Sequence, residues 1–125
     1  MRWIDWLPFG RVAEMAPEEL ARRLAEGKVV QLVDVRTRRE FLQGHIAGAR
    51  HVPVHALAAA LPALAFDPQV PLVAICKTAH RSIPAVRLLE GRGLKALQLA
   101  GGMDRWRRLG LPVVHGLPVG ERYCP

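Results

Sequence analysis

The four-residue apolar run Leu72-Val73-Ala74-Ile75 leads straight into Cys76-Lys77-Thr78-Ala79-His80-Arg81-Ser82, and a helical pattern, Ile83 to Gly91, follows at once. This order of strand, tight loop and helix puts a thiol at the last position of a strand. In open α/β sheets, ligands collect outside the carboxyl ends of the strands. A loop that closes onto a helix start turns backbone N–H groups inward and favours an anion there. Lys77, His80 and Arg81 add positive charge beside the thiol. A free thiol titrates at about 8.5, and such surroundings bring it to roughly 3.5–7.5. Most free cysteines are inert core residues. An inert thiol has no use for three basic neighbours, so Cys76 reads as a reactive thiolate.

The rest of the chain has to build the sheet that carries this loop. At 125 residues it is one domain's worth, long enough to bury a core without covalent staples. Half of the residues are hydrophobic, which suits a packed globule and excludes disorder. Two cysteines, Cys76 and Cys124, make no disulfide framework, and a working thiol needs a reducing compartment. No stretch approaches the roughly twenty apolar residues of a membrane span. The opening Met1-Arg2-Trp3-Ile4-Asp5-Trp6-Leu7-Pro8 lacks the apolar centre of a signal peptide. The expectation is a cytoplasmic protein with no membrane partner. The formal net charge is +7. The basic residues are scattered, with no long run and no interleaved aromatic residues, so no nucleic-acid partner is expected. A basic surface would instead steer anionic small molecules toward the thiol.

Three segments are expected: an aromatic-rich stretch over residues 1–10, a domain over 11–114 and a tail over 115–125. Trp3, Trp6 and Phe9 recur every third residue and read as a turn packed on the domain, the commoner outcome for large aromatics, or as a patch for a partner. Gly10 to Met15 reads as a short strand. Pro17 suits the first turn of a helix that runs through Glu26 and stops at Gly27. Val29 to Val35 is a strand of the kind covered on both faces. Thr37-Arg38-Arg39-Glu40 is a capping box opening a short helix, and Arg36 can pair with Glu40 across that turn. The helix breaks at Gly44-His45-Ile46-Ala47-Gly48-Ala49, and His51 to Pro53 is extended. Val54 to Leu64 is helical, bent or ended by Pro62. Leu94 to Leu99 is a further strand, Gly101-Gly102 opens a helix over Met103 to Leu109, and Leu111 to Val114 is extended. Strand and helix alternate throughout, which predicts an α/β fold with a largely parallel sheet.

Four segments stand in order: Asp34-Val35-Arg36 with Glu40-Phe41; Gly44 to Ala49; the Cys76–Ser82 loop; and Gly101-Gly102-Met103 with Trp106 and Gly110-Leu111-Pro112-Val113. Together they resemble a single-domain rhodanese, a sulfurtransferase, over about residues 11–114. The resemblance implies a three-layer α/β/α domain with a five-stranded, mostly parallel sheet. It implies that Cys76 takes a sulfane sulfur from a small anionic donor such as thiosulfate and holds it as a persulfide. The sulfur then passes to cyanide, a thiol or a protein sulfur acceptor. By the family pattern Cys76 is the nucleophile, and Lys77, Thr78, Ala79, His80, Arg81 and Ser82 form the substrate pocket, with no cofactor.

The residues taken alone agree with this chemistry. Attack on a sulfur–sulfur bond needs a thiolate, and covalent capture splits one hard transfer into two easier ones. Preorganised N–H groups stabilise the charged outer sulfur. Lys77 and Arg81 can hold an anionic donor. His80 can add charge, move a proton or face solvent. Asp34, Arg36 and Glu40 read as structural, fixing the turn after the second strand. His45 lacks a second ligand at metal spacing and reads as a hydrogen-bonded structural residue, so no metal is expected. Trp106 reads as core, and Cys124 as incidental to the tail. Ala79 stands where the family commonly has glycine; a left-handed backbone there would cost about 1–2 kcal/mol.

Two other classes compete. Cysteine phosphatases use a similar loop with five residues between Cys and Arg, whereas four separate Cys76 from Arg81. A non-catalytic binding module would have little need of the thiol, and alkylation of Cys76 separates it from an enzyme.

Overall fold

The computed structural model describes residues 12–117. The aromatic segment at residues 1–10 and Cys124 lie outside the described residues. In chain order the elements are β1 (Glu14–Met15), α1 (Pro17–Ala25), β2 (Gln31–Asp34), α2 (Arg38–Gln43) and β3 (Arg50–His51). A 3-10 turn (Val54–Ala56), α3 (Leu57–Leu64), β4 (Leu72–Ile75), α4 (Ser82–Gly91), β5 (Ala96–Leu99) and α5 (Gly102–Arg108) follow.

The five strands form one sheet in the order β1-β5-β4-β2-β3. Every neighbouring pair is parallel, so the sheet is wholly rather than mostly parallel. The central strand β4 is buried along its whole length. Its side chains alternate between the two faces, as the strand period of two requires. Leu72 and Ala74, with Cys76 beyond them, join Leu57, Leu61 and Leu64 of α3 and Ala85, Val86 and Leu89 of α4. Val73 and Ile75 join Leu20 of α1, Phe41 of α2, and Met103 and Trp106 of α5. Helices therefore cover both faces, and each fully buried large side chain contributes about 1.5–3 kcal/mol.

Local signals set the helix ends. Pro17 occupies the first turn of α1, with Glu18 and Glu19 beside it and Arg22 and Arg23 in the last turn, which complements the helix dipole. The capping box of α2 forms with both reciprocal bonds, Glu40 N–H to Thr37 Oγ1 at 3.2 Å and Thr37 N–H to Glu40 Oε1 at 2.9 Å. Pro62 sits inside α3, which ends two residues later with Ala65 in the left-handed region. Several strands are shorter than the sequence predicts. Gln31 to Asp34 pairs out of Val29–Val35, because pairing stops where the neighbouring strands stop. Leu111 to Val114 joins no named strand. Val114 instead makes a two-way antiparallel bridge with His45, at 2.9 and 2.8 Å.

The strand order creates the site. From β2 the chain moves outward to β3, and from β4 it moves outward the other way, to β5. The carboxyl ends of β2 and β4 therefore flank a topological switch point, where such sheets open a crevice for ligands. Asp34 ends one strand and Cys76 follows the other.

Candidate active site

Cys76 is 1% exposed, and its loop runs directly into α4. Its Sγ lies 3.4 Å from Oγ of the buried Ser82, the first residue of that helix. Among the described residues, no carbonyl or side chain accepts a hydrogen bond from the backbone N–H groups of residues 77–81. These N–H groups stay available to a ligand, which is what an anion cradle requires. Lys77, Thr78 and His80 are exposed at the rim, while Ala79 and Arg81 are half-buried. Ala79 has φ +75°, so the left-handed conformation that glycine would take without cost is taken by alanine.

The carbonyl side of the loop is fixed by α5. The N–H of Met103 donates to the Cys76 carbonyl at 2.8 Å, and that of Asp104 donates to the Lys77 carbonyl at 3.0 Å. Two otherwise unpaired first-turn donors of a helix are satisfied this way. The approach needs Gly102, whose φ is +61° and where any Cβ would collide with those two carbonyl oxygens. The Gly101-Gly102 pair thus does more than open a helix; it lets α5 hold the floor of the loop.

Charged pairs frame the loop. Arg36 does not pair with Glu40. It turns back on Asp34, with Nη2 2.8 Å from Oδ2 and Nε 2.9 Å from Oδ1, and its Nη2 also donates to the Gly44 carbonyl at 2.8 Å. Both partners are buried, so this pair is a closed network at the end of β2. Glu40 reaches across to the loop instead. It accepts Arg81 Nη1 at 2.9 Å and Nη2 at 2.8 Å, a bidentate pair. The Arg81 guanidinium, ahead of the Thr37 bonds, brings the Glu40 carboxyl down to about 2, and Glu40 in turn raises Arg81. A local reading favours Arg36 with Glu40 because they are four residues apart. The fold offers each a better partner: the carboxylate two residues back for Arg36, and a fork from the adjacent strand's loop for Glu40.

His45 is buried, stacked on Phe41 at 3.7 Å between ring centroids, and its Nδ1–H donates to the Phe41 carbonyl at 2.9 Å. Among the described residues, no group of three or more His, Cys, Asp or Glu side chains is arranged to hold a metal. Two clefts flank the loop. One, of about 160 Å³, is lined by Arg36, Glu40, Lys77, Met103, Asp104 and Arg107. The other, of about 340 Å³, is lined by Val35, Thr37, Arg38, Pro53, His55 and Arg81 among others.

Gln98 and Glu14 beside the loop escape a reading of the sequence. Ser82 Oγ lies 2.7 Å from Oε1 of the buried Gln98, whose Nε2 lies 2.6 Å from Oε2 of Glu14. The available signal was Gln98 itself, a polar residue inside the otherwise apolar strand Ala96-Leu97-Gln98-Leu99.

A wholly parallel five-stranded sheet covered by helices on both faces, with a cysteine loop following its central strand, defines a class: a three-layer α/β domain. Residues 16–109 match the rhodanese-like domain, and the chain belongs to that family. It is 42% identical over 105 residues to the HTH-type transcriptional regulator Rv0324 of Mycobacterium tuberculosis, which covers 82% of this chain but only 45% of that protein. It is 38% identical over 104 residues to a sulfurtransferase of Allochromatium vinosum, covering 82% of this chain and 95% of the relative. The thiosulfate sulfurtransferase GlpE of Pseudomonas aeruginosa is 36% identical over 94 residues, 74% of this chain and 82% of GlpE. The crystal structure of a rhodanese-like domain protein from Staphylococcus aureus superposes with a TM-score of 0.69 at 33% identity, covering 75% of this chain and 90% of that one. Among the described residues, no helix is long and apolar enough to cross a membrane.

Proposed function

We propose that the chain is a sulfurtransferase that moves a sulfane sulfur from thiosulfate to a thiophilic acceptor, cyanide in an assay or a thiol in the cell, through a persulfide on Cys76. The Cys76 thiolate attacks the outer sulfur of thiosulfate. The sulfur–sulfur bond breaks, and sulfite departs with the bonding electron pair. The outer sulfur of the resulting persulfide carries the negative charge, and the unengaged N–H groups of residues 77–81 stabilise it. The acceptor then attacks that outer sulfur, and Cys76 leaves as the thiolate, ready for the next donor.

The observation that carries this reading is the loop itself: a buried thiol followed by five residues whose backbone N–H groups have no acceptor among the described residues. Lys77 and Arg107 line the smaller cleft and supply cations for a small dianionic donor. Similarity to a thiosulfate sulfurtransferase supports the same donor. The four-residue spacing from Cys76 to Arg81 gives a cradle tighter than a phosphatase loop and suits one sulfur atom.

The test is thiocyanate formation from thiosulfate and cyanide, run with the wild type and with Cys76→Ser. Turnover in the wild type with none in the folded variant is the expected result. Substantial turnover in the variant would overturn the mechanism.

A further inference from the structure

A chain of three hydrogen bonds leads from Cys76 through Ser82 and Gln98 to Glu14 of β1. Its direction can be deduced from its outer end. Glu14 is exposed, and its carboxylate, when ionised, can only accept. Gln98 must therefore present its NH2 to Glu14, which turns its carbonyl oxygen toward Ser82. Ser82 has one hydroxyl hydrogen, and at 2.7 Å that hydrogen belongs to Gln98 Oε1. What Ser82 has left for Cys76 is a lone pair, so across the 3.4 Å contact the S–H donates and the hydroxyl accepts.

This wiring suits a thiol and opposes a thiolate. A sulfur anion would want the Ser82 hydrogen, and taking it would leave the buried Gln98 oxygen without a donor, an arrangement proteins avoid. We propose that Gln98, held in place by Glu14, is a positioning residue that keeps the Ser82 hydrogen away from Cys76 and so opposes the thiolate that the basic loop favours. The nucleophile is thereby protected, since oxidation of a cysteine follows its thiolate character. The inference rests on Cys76 as the nucleophile and is independent of the sulfur donor.

Among the described residues, the other charged groups around Cys76 are Lys77, His80 and Arg81 of its own loop, Glu40 of α2 on Arg81, and Arg107 of α5, which lines the cleft with Lys77. The Asp34–Arg36 pair lies at the end of β2, and Asp104 of α5 meets the Lys77 carbonyl through its N–H. Substitution at Gln98 changes the charge of none of them.

The test is the rate of iodoacetamide alkylation of Cys76 as a function of pH, in a Cys124→Ser background that leaves Cys76 as the sole cysteine. Gln98→Leu removes the competing acceptor and frees the Ser82 hydrogen for sulfur. The midpoint of the profile should fall by about half a pH unit or more, because hydrogen bonding to the charged form favours it. Adding Ser82→Ala should erase that fall. Gln98→Met, closer in shape to glutamine, is read in the same way should the leucine variant not fold. An unchanged or raised midpoint overturns the proposal, as does a fall of equal size when Ser82 is absent. Alkylation needs no sulfur donor, so failure here leaves sulfur transfer standing, and absence of transfer leaves this result readable.

Discussion

Arg81 of the cysteine loop and Glu40 of α2, forty-one residues apart in sequence, meet in a bidentate pair at 2.9 and 2.8 Å. The loop after β4 is thereby tied to the helix after β2, across the crevice where ligands are expected. The Glu40 side chain is 26% exposed and that of Arg81 38%. Solvent screening reduces the stabilisation of such a half-exposed pair to about 1 kcal/mol. Glu40→Gln should lower stability by about that amount in denaturant unfolding. The pH dependence has a definite sign. The Glu40 carboxyl is held at about 2, below its ordinary 4.5, so its contribution is complete above the ordinary value and is lost as pH falls toward 2. In Glu40→Gln that acid-dependent part of the stability curve should be missing.

Asp34 and Arg36 form the buried counterpart of that pair. Asp34→Asn leaves the Arg36 guanidinium buried against a neutral amide. Breaking a buried pair at one partner costs about 3–5 kcal/mol. Thermal unfolding should show a loss several times that of Glu40→Gln, and an equal loss would contradict the different burial of the two pairs.

Gly102 permits contact between α5 and the cysteine loop. Gly102→Ala would force a Cβ onto the carbonyl oxygens of Cys76 and Lys77 at a backbone angle that disfavours side chains. The expected outcome is a loss of about 2 kcal/mol or more together with loss of sulfur transfer. Gly91, in the last turn of α4, has open space around its Cα. Gly91→Ala should be neutral or stabilising by up to about 1 kcal/mol, and serves as the matched control.

Ala79 holds φ +75° and Ala65 holds φ +51°. Left-handed strain of about 1–2 kcal/mol is offset in a glycine variant by the greater freedom of the unfolded chain, about 0.4–1 kcal/mol. Ala79→Gly and Ala65→Gly should each raise stability by about 0.5–1 kcal/mol. Sulfur transfer should change only in the first, because only Ala79 lies in the loop.

Much of this was legible in the sequence because it is local. The apolar run Leu72–Ile75, the capping box at Thr37 and Glu40, and the Gly101-Gly102 pair each depend on a few consecutive residues. What could not be read depends on which strands lie side by side. Glu40 meets Arg81, and Ser82 meets Gln98, only because β4 lies between β2 and β5. The expected Arg36–Glu40 contact failed for the same reason, since proximity along the chain was the one clue available. Only the resemblance to the family singles out Ala79, because its positive φ is set by the folded loop. The local pattern marks Gly102 as a helix start, whereas its contact with the loop carbonyls belongs to tertiary structure.

The central claim is that Cys76 carries the transferred sulfur. The most direct measurement is the mass of the reduced protein after incubation with thiosulfate, with the modified residue located by peptide mapping. The expected result is a gain of one sulfur mass on the peptide containing Cys76, lost on addition of cyanide with an equivalent of thiocyanate formed. A protein that gains no sulfur from thiosulfate, or gains it at Cys124 with Cys76 unmodified, would contradict the account.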